Sequence, residues 1–165
     1  MNASTKADEI RPVETVRPAE WSLRSALSSD VETIAELRAI VMRRDLERLG
    51  RFDAHRVRQR LRDSFSPRYT SVVLAGDAFA GSVTLRPAED GWWLEHFYLD
   101  PALHGRGLGS AVLHSLLRRT DADGAPARLN VLQGSPARRL YERLGFTVVA
   151  EDPVDVFMLR QPGAR

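Results

Sequence analysis

The chain has 165 residues, no cysteine and a formal net charge of +2. That length suits one domain able to fold around its own core. Without cysteine, disulfides, thiolate metal ligands and a cysteine nucleophile are excluded; so small a net charge also argues against a nucleic-acid partner, whose binders present a clustered basic face.

The basic residues are nearly all arginine, with Lys6 the sole lysine. The histidines, His55, His96, His104 and His114, show no metal-ligand spacing, so no metal is expected. No apolar run approaches the roughly 18 residues of a membrane span. The polar N-terminus is unlike a secretory signal. The expected location is the cytoplasm, with no membrane partner. Residues 1–20 hold charges, Pro12, Pro18 and few large apolar side chains. They are expected to form a flexible tail ahead of a single domain over residues 21–165.

"WSLRSAL" reads as a short strand. "SSDVETIAELRAIVM" follows as a helix, with Ser29 and Glu32 spaced as a capping box. Ile34, Leu37 and Val41 keep the helical period, which fades toward Gly50. A second helix is expected from Asp53, with Val57, Leu61 and Phe65 four apart and Pro67 as its stop. "TSVVLAG" and "AFAGSVTLR" read as strands joined by a tight hairpin at Gly76-Asp77. "GWWLEHFYLDP" is a longer strand closed by Asp100-Pro101.

A glycine-rich segment, "HGRGLGSAVL", then opens a helix containing Leu108, Val112, Leu113, Leu116 and Leu117. "ARLNVLQ" is a further strand. In "SPARRLYERLGF", Ser135 is a good N-cap, Pro136 suits the first helical position and Gly145 suits the C-cap. "FTVVAE" and "VDVFMLR" finish the chain as strands. The order is β-α-α-β-β-β-α-β-α-β-β. Three consecutive strands imply an antiparallel portion, and the later β-α-β implies a parallel crossover. The expected class is α/β, a mixed sheet with helices on both faces.

The glycines lie between a strand and a helix. The first turn of a helix carries unpaired N–H groups and a partial positive charge, so bare backbone there can receive a phosphate. A P-loop needs Gly-Lys-Ser/Thr, and the glycine segment holds no lysine. A dinucleotide fingerprint, G-x-G-x-x-G/A, ends on Ser110 or Val112 and fails in both registers. A third pattern, Q/R-x-x-G-x-G/A, holds the coenzyme A pyrophosphate in the GNAT acetyltransferases. His104-Gly105-Arg106-Gly107-Leu108-Gly109 resembles it in all but the first residue.

Two larger blocks strengthen the resemblance. "LEHFYLDPALHGRGLGSAVLHSLL" is similar to that family's fourth strand, loop and third helix. "LNVLQGSPARRLYERLGF" is similar to its second block, with the Leu-Tyr-Glu-x-x-Gly-Phe ending intact. The resemblance covers roughly residues 21 to 160 and implies a central, mostly antiparallel mixed sheet of six or seven strands with about four helices. Two positions depart from the pattern. His104 stands where Gln or Arg is usual. Ser135 stands near a usual Asn.

The resemblance implies transfer of acetyl from acetyl-CoA to an amine, with acetyl-CoA as the cosubstrate. Gly105 to Ser110 would take the pyrophosphate, with His104, Arg106, Asn130, Ser135 and Arg138 as further coenzyme contacts. Phe97, Tyr98 and Leu99 match the strand that bonds the pantetheine arm. Tyr141 matches the tyrosine that offers its hydroxyl to the leaving thiolate. With no cysteine, direct attack in a ternary complex is favoured over an acetyl-enzyme. Glu95 is the candidate base and His96 the reserve, its side chain directed to the opposite face unless a bulge re-aims it.

The acceptor site should form between the first two helices and the last strands. Arg43, Arg44 and Arg48 are candidates to hold an acceptor carboxylate or phosphate, against a solvated, ion-paired helix face. Asp155 is a candidate ammonium anchor, against a turn-ending role. The preferred acceptor is a small-molecule amine. A protein N-terminus or lysine, and a non-catalytic acyl-CoA-binding module, remain the alternatives. Relatives are often homodimers.

Overall fold

The computed structural model describes residues 20–165. Apart from Glu20, the expected N-terminal tail lies outside the described residues. Strands β1 (Trp21–Ser25), β2 (Thr70–Ala75), β3 (Ala78–Ala88), β4 (Gly91–Leu99), β5 (Ala127–Leu132), β6 (Thr147–Glu151) and β7 (Asp155–Arg160) form one seven-stranded sheet in the order β1-β2-β3-β4-β5-β7-β6. The helices are α1 (Val31–Arg48), α2 (Ala54–Ser64), α3 (Leu108–Ala122) and α4 (Ala137–Arg143). Every neighbouring strand pair is antiparallel except β4–β5. That exception is the parallel crossover expected around α3.

Each face of the sheet buries its own core because alternate strand residues point to opposite sides. Val73, Val83, Leu85 and Leu94 pack under α3 through Val112, Leu113, Leu116 and Leu117. On the other face, Val72 and Tyr98 meet Ile34, Ala35 and Leu37 of α1 and Leu61 of α2. Adjacent Val72 and Val73 therefore serve different cores.

The start of α1 differs from the expected Ser29–Glu32 box. A short 3-10 turn over Ser28–Asp30 precedes the helix, and the Asp30 carboxylate accepts the Leu27 N–H at 2.7 Å. Asp30 is fixed there by Arg24 at 2.8 Å, while Glu32 is drawn to Arg62 of α2 at 2.8 Å. Asp53 stands just ahead of α2 as its N-cap, accepting Arg56 N–H at 2.8 Å, so the helix begins one residue after the expected start. Gly76 turns the β2–β3 hairpin with φ +59°, and Gly145 follows α4 with φ +95°. The regular turns of α4 begin one residue later than expected. Ser135 still serves that end, its Oγ accepting Ala137 N–H at 3.3 Å.

Candidate active site

β4 and β5 pair only at Trp92–Ala127 and Trp93–Arg128. Beyond Trp93 the two strands part, leaving the β5-facing edge of β4 from Glu95 to Leu99 without a strand partner. A cleft of about 500 Å³ opens at this point. It gathers Glu95, Phe97, Tyr98, Asn130, Ser135, Tyr141 and Asp155 from the expected site residues, together with His96 and Arg38. Arg43, Arg44, Arg48, Arg138 and the glycine segment do not border it.

The glycine segment follows β4 directly. Gly105 and Gly107 adopt φ +74° and +78°, a left-handed backbone costly for any residue with a Cβ. A Cβ at either position would meet no atom within 4 Å, so the requirement is conformational and the surrounding space is open. Gly109 has a different task. A Cβ there would stand 3.3 Å from Leu140 and 3.5 Å from Leu99, so its bareness lets α3 settle closely on β4 and α4.

Gly107 is the N-cap of α3, and no side chain caps the helix. The first-turn N–H groups from Leu108 to Ser110 thus face the space that a phosphate would need. Arg106 stands exposed beside it. His104 is used differently from the Gln or Arg it replaces. Its Nε2 donates to the Leu99 carbonyl at 2.9 Å, tying the turn back to the end of β4.

Tyr141 is 8% exposed and sits edge-on to Phe146, with centroids 6.0 Å apart. Among the described residues its hydroxyl has no hydrogen-bond partner, and it borders the cleft. Burial, then the nearby Tyr98, pushes the phenol well above its ordinary value, so it keeps its proton at neutral pH.

The register between β3 and β4 slips between Ser82 and Thr84, and His96 in the slipped segment has φ +49°. This bulge brings His96 to the same face as Glu95 and Tyr98. Glu95 accepts from Arg86 through both oxygens, at 2.7 and 3.3 Å. The His96 ring bridges two partners, with Nδ1 3.1 Å from the Tyr98 hydroxyl and Nε2 2.8 Å from Ser64 Oγ.

The neighbours assign the imidazole protons. Arg38 Nε donates to the Tyr98 hydroxyl at 2.9 Å, so the Tyr98 proton turns to His96 Nδ1. Ser64 donates to the Arg60 carbonyl at 2.8 Å, so Ser64 Oγ receives the His96 Nε2 proton. Burial lowers the His96 pKa, opposed by Glu95 and reinforced by Arg38 and Arg86; the ring is neutral at pH 7.

The remaining candidates divide between the cleft wall and the surface beyond it. Asn130 is exposed on β5 and Ser135 half-buried ahead of α4. Arg138 pairs with Glu142 at 2.6 Å and faces Glu151 at 3.7 Å. Arg43 pairs with Glu47, Arg48 pairs with Asp45, and Arg44 is exposed. The cleft instead receives Arg38, which sequence reasoning missed. Its signal was positional: it lies four residues after Ile34 and three before Val41, on the buried stripe of α1. Asp155, at the start of β7, borders the cleft with a carboxyl raised by burial and by Asp152. Among the described residues no group of three or more His, Asp or Glu side chains could hold a metal ion, and no helix is long and apolar enough to cross a membrane.

The fold is similar to that of several solved acetyltransferases. PaiA N-acetyltransferase from Thermoplasma acidophilum, in complex with coenzyme A, aligns over 86% of this chain and 98% of its own, at 19% identity and TM-score 0.70. The ribosomal-protein-S18-alanine N-acetyltransferase from Escherichia coli aligns over 88% and 96%, at 18% identity and TM-score 0.68. N-acetylglutamate synthase from Neisseria gonorrhoeae, complexed with coenzyme A and L-arginine, aligns over 87% of this chain and 33% of its own, at 18% identity and TM-score 0.61. At these identities the likeness speaks for the fold. Residues 33–146 match the model of the acetyltransferase (GNAT) family, and the chain belongs to that family of acetyl-CoA-dependent N-acetyltransferases.

Proposed function

We propose that this enzyme acetylates the primary amine of a small-molecule acceptor by direct attack in a ternary complex. The parting of β4 from β5 after Trp93 carries this reading. It leaves a strand edge for an extended thioester arm, with Tyr141 and Glu95 beside the opening and the bare N-terminus of α3 beyond it.

The coenzyme pyrophosphate rests on the N–H groups of Gly107 to Ser110, and Arg106 adds a charged contact. The backbone of Phe97 to Leu99 bonds the pantetheine arm as an added strand would. Asn130 and Ser135 contact the coenzyme from the other bank. An unpaired N–H of β4 stabilises the oxyanion of the tetrahedral intermediate.

The acceptor nitrogen attacks the thioester carbon; the C–N bond forms and the C–S bond breaks. An ammonium substrate sheds two protons overall. One reaches the sulfur by way of Tyr141, whose buried phenol is kept protonated for this purpose. The other leaves through Glu95, directly or through one water. Each Glu95 oxygen keeps acceptor capacity beyond its bond to Arg86. His96 is less suited as base because both ring nitrogens are engaged. It holds the bulge that orients the site.

The test measures thiol release from acetyl-CoA with small amines, beside peptides bearing a free N-terminus or a lysine. Turnover of small amines alone supports the reading. Turnover of peptides alone transfers the activity to a protein acceptor.

A further inference from the structure

A second cavity of about 840 Å³ adjoins the cleft and shares Arg38, Met42, Leu132 and Asp155 with it. It lies between α1, α2 and the turn leading into β7. Its charged lining is divided in an informative way.

Arg38 is only 8% exposed. It donates to the Tyr98 hydroxyl and to the Val57 carbonyl, yet among the described residues no carboxylate pairs with it. A buried guanidinium without a counter-ion is costly, and this one borders both cavities. Arg51, Arg56 and Arg60 line the second cavity and also lack ion pairs among the described residues. By contrast Arg58 and Arg62, on the same helix α2, are paired with Glu36 and Glu32. On α2 the arginines turned away from the cavity are neutralised, and those lining it are not.

Three carboxylates share the lining. Asp53 accepts Arg56 N–H at 2.8 Å, and Asp152 accepts Val154 and Asp155 N–H at 2.8 and 2.7 Å. Their charge is held by backbone. The Asp155 carboxylate, on the wall common to both cavities, takes no hydrogen bond among the described residues. The surface therefore offers one free carboxylate at the cleft and several free guanidiniums beyond it.

We propose that the acceptor is a small amine that also carries an anionic group, a carboxylate or a phosphate. Asp155 receives its ammonium at the mouth of the catalytic cleft, while Arg38, Arg56 and Arg60 hold the anion in the second cavity. Guanidinium pairs with either oxyanion through parallel N–H bonds, and the fixed anion aims the nitrogen at the thioester. This inference rests on the acetyltransferase reading above and names its substrate class.

The test uses matched acceptors: 5-aminopentanoate against pentylamine, and phosphoethanolamine against ethanolamine. Thiol release is followed for each, with acetyl-CoA titrated calorimetrically into the same protein. A kcat/KM at least about tenfold higher for an anionic member supports the proposal, and the pair that shows it separates carboxylate from phosphate. The preference should collapse in the Arg56→Gln/Arg60→Gln variant, whose altered side chains are exposed and leave the core untouched. Asp155→Asn should raise KM more than it lowers kcat. Equal or better use of the amines without an anionic group overturns the assignment, as does acetyl-CoA binding with turnover of none of the four. Failure to bind acetyl-CoA at all would instead sink the reading beneath it.

Discussion

The Tyr98 hydroxyl lies 3.1 Å from His96 Nδ1 and receives the Arg38 Nε proton at 2.9 Å, joining α1 to the bulge of β4. This link continues through His96 Nε2 to Ser64 at the end of α2. Two helices and β4 are thus fastened by one line of donors and acceptors. Tyr98→Phe removes the middle of that line and leaves the Arg38 guanidinium short of an acceptor. The expected loss is about 1–3 kcal/mol of stability, the cost of unsatisfied buried polar groups. Denaturant unfolding of wild type and variant measures it.

The same ring makes stability depend on pH. The folded His96 pKa lies below the unfolded value of 6.5 because burial disfavours the charged imidazole. Below the unfolded pKa, the unfolded chain takes up a proton that the folded ring resists, so protonation favours unfolding. This contribution to stability is full above about pH 7 and is lost as pH falls through the window just below 6.5. Melting temperature should decline across that window. In His96→Asn, a residue that tolerates the left-handed backbone, the decline should shrink. An unchanged slope would remove His96 from the account.

Tyr141→Phe keeps the ring against Phe146 and deletes only the hydroxyl. Acetyl-CoA affinity should remain within about twofold while kcat falls at least about tenfold. Calorimetry and single-turnover kinetics read the two effects separately. Unchanged turnover would remove Tyr141 from the mechanism.

Glu95→Gln should lower kcat/KM by about a hundredfold at neutral pH. The conservative amide keeps the neighbourhood of Arg86 filled, so acetyl-CoA binding serves as the control. An unchanged kcat/KM would remove Glu95 from the mechanism and leave it as the ion-pair partner of Arg86.

The glycine turn yields a contrast between neighbouring substitutions. Gly107→Ala forces a Cβ onto a residue at φ +78°, at a cost of about 1–2 kcal/mol, and disturbs the N–H groups aimed at the phosphate. Coenzyme affinity should fall with stability. Gly105→Gln at φ +74° carries a similar backbone penalty but no steric clash. It should destabilise the fold less than Gly109→Gln, which drives a side chain against Leu140 and Leu99. Thermal unfolding of the three variants checks the ranking.

The element order was legible because its punctuation is chemical: Asp53 before α2, Gly76 in the hairpin, the glycines before α3, Gly145 after α4. The start of α1 departs from its sequence spacing. Ser29 and Glu32 have the spacing of a box, but Arg24 and Arg62, distant in sequence, decide which carboxylate is free to cap. The β4 bulge left a trace that alternation alone could not interpret. Glu95 and His96 are consecutive polar residues between Leu94 and Phe97, and such a slip is equally the mark of a loop. Arg38 shows the same limit. A charged residue on an apolar stripe announces burial, but the partner that makes burial tolerable, Tyr98, is 60 residues away. Sequence alone does not tell which arginines of a basic helix find carboxylates; Arg43 and Arg48 do, whereas Arg56 and Arg60 have no ion pair among the described residues.

The most direct measurement is calorimetric titration of the purified protein with acetyl-CoA, free CoA and NADH. The splayed strands and the bare N-terminus of α3 predict saturable binding of both acetyl-CoA and CoA, no binding of NADH, and weakened coenzyme binding in Gly107→Ala. Failure of acetyl-CoA and CoA alike to bind, with the protein folded, would contradict the assignment of the glycine turn and the mechanism built on it.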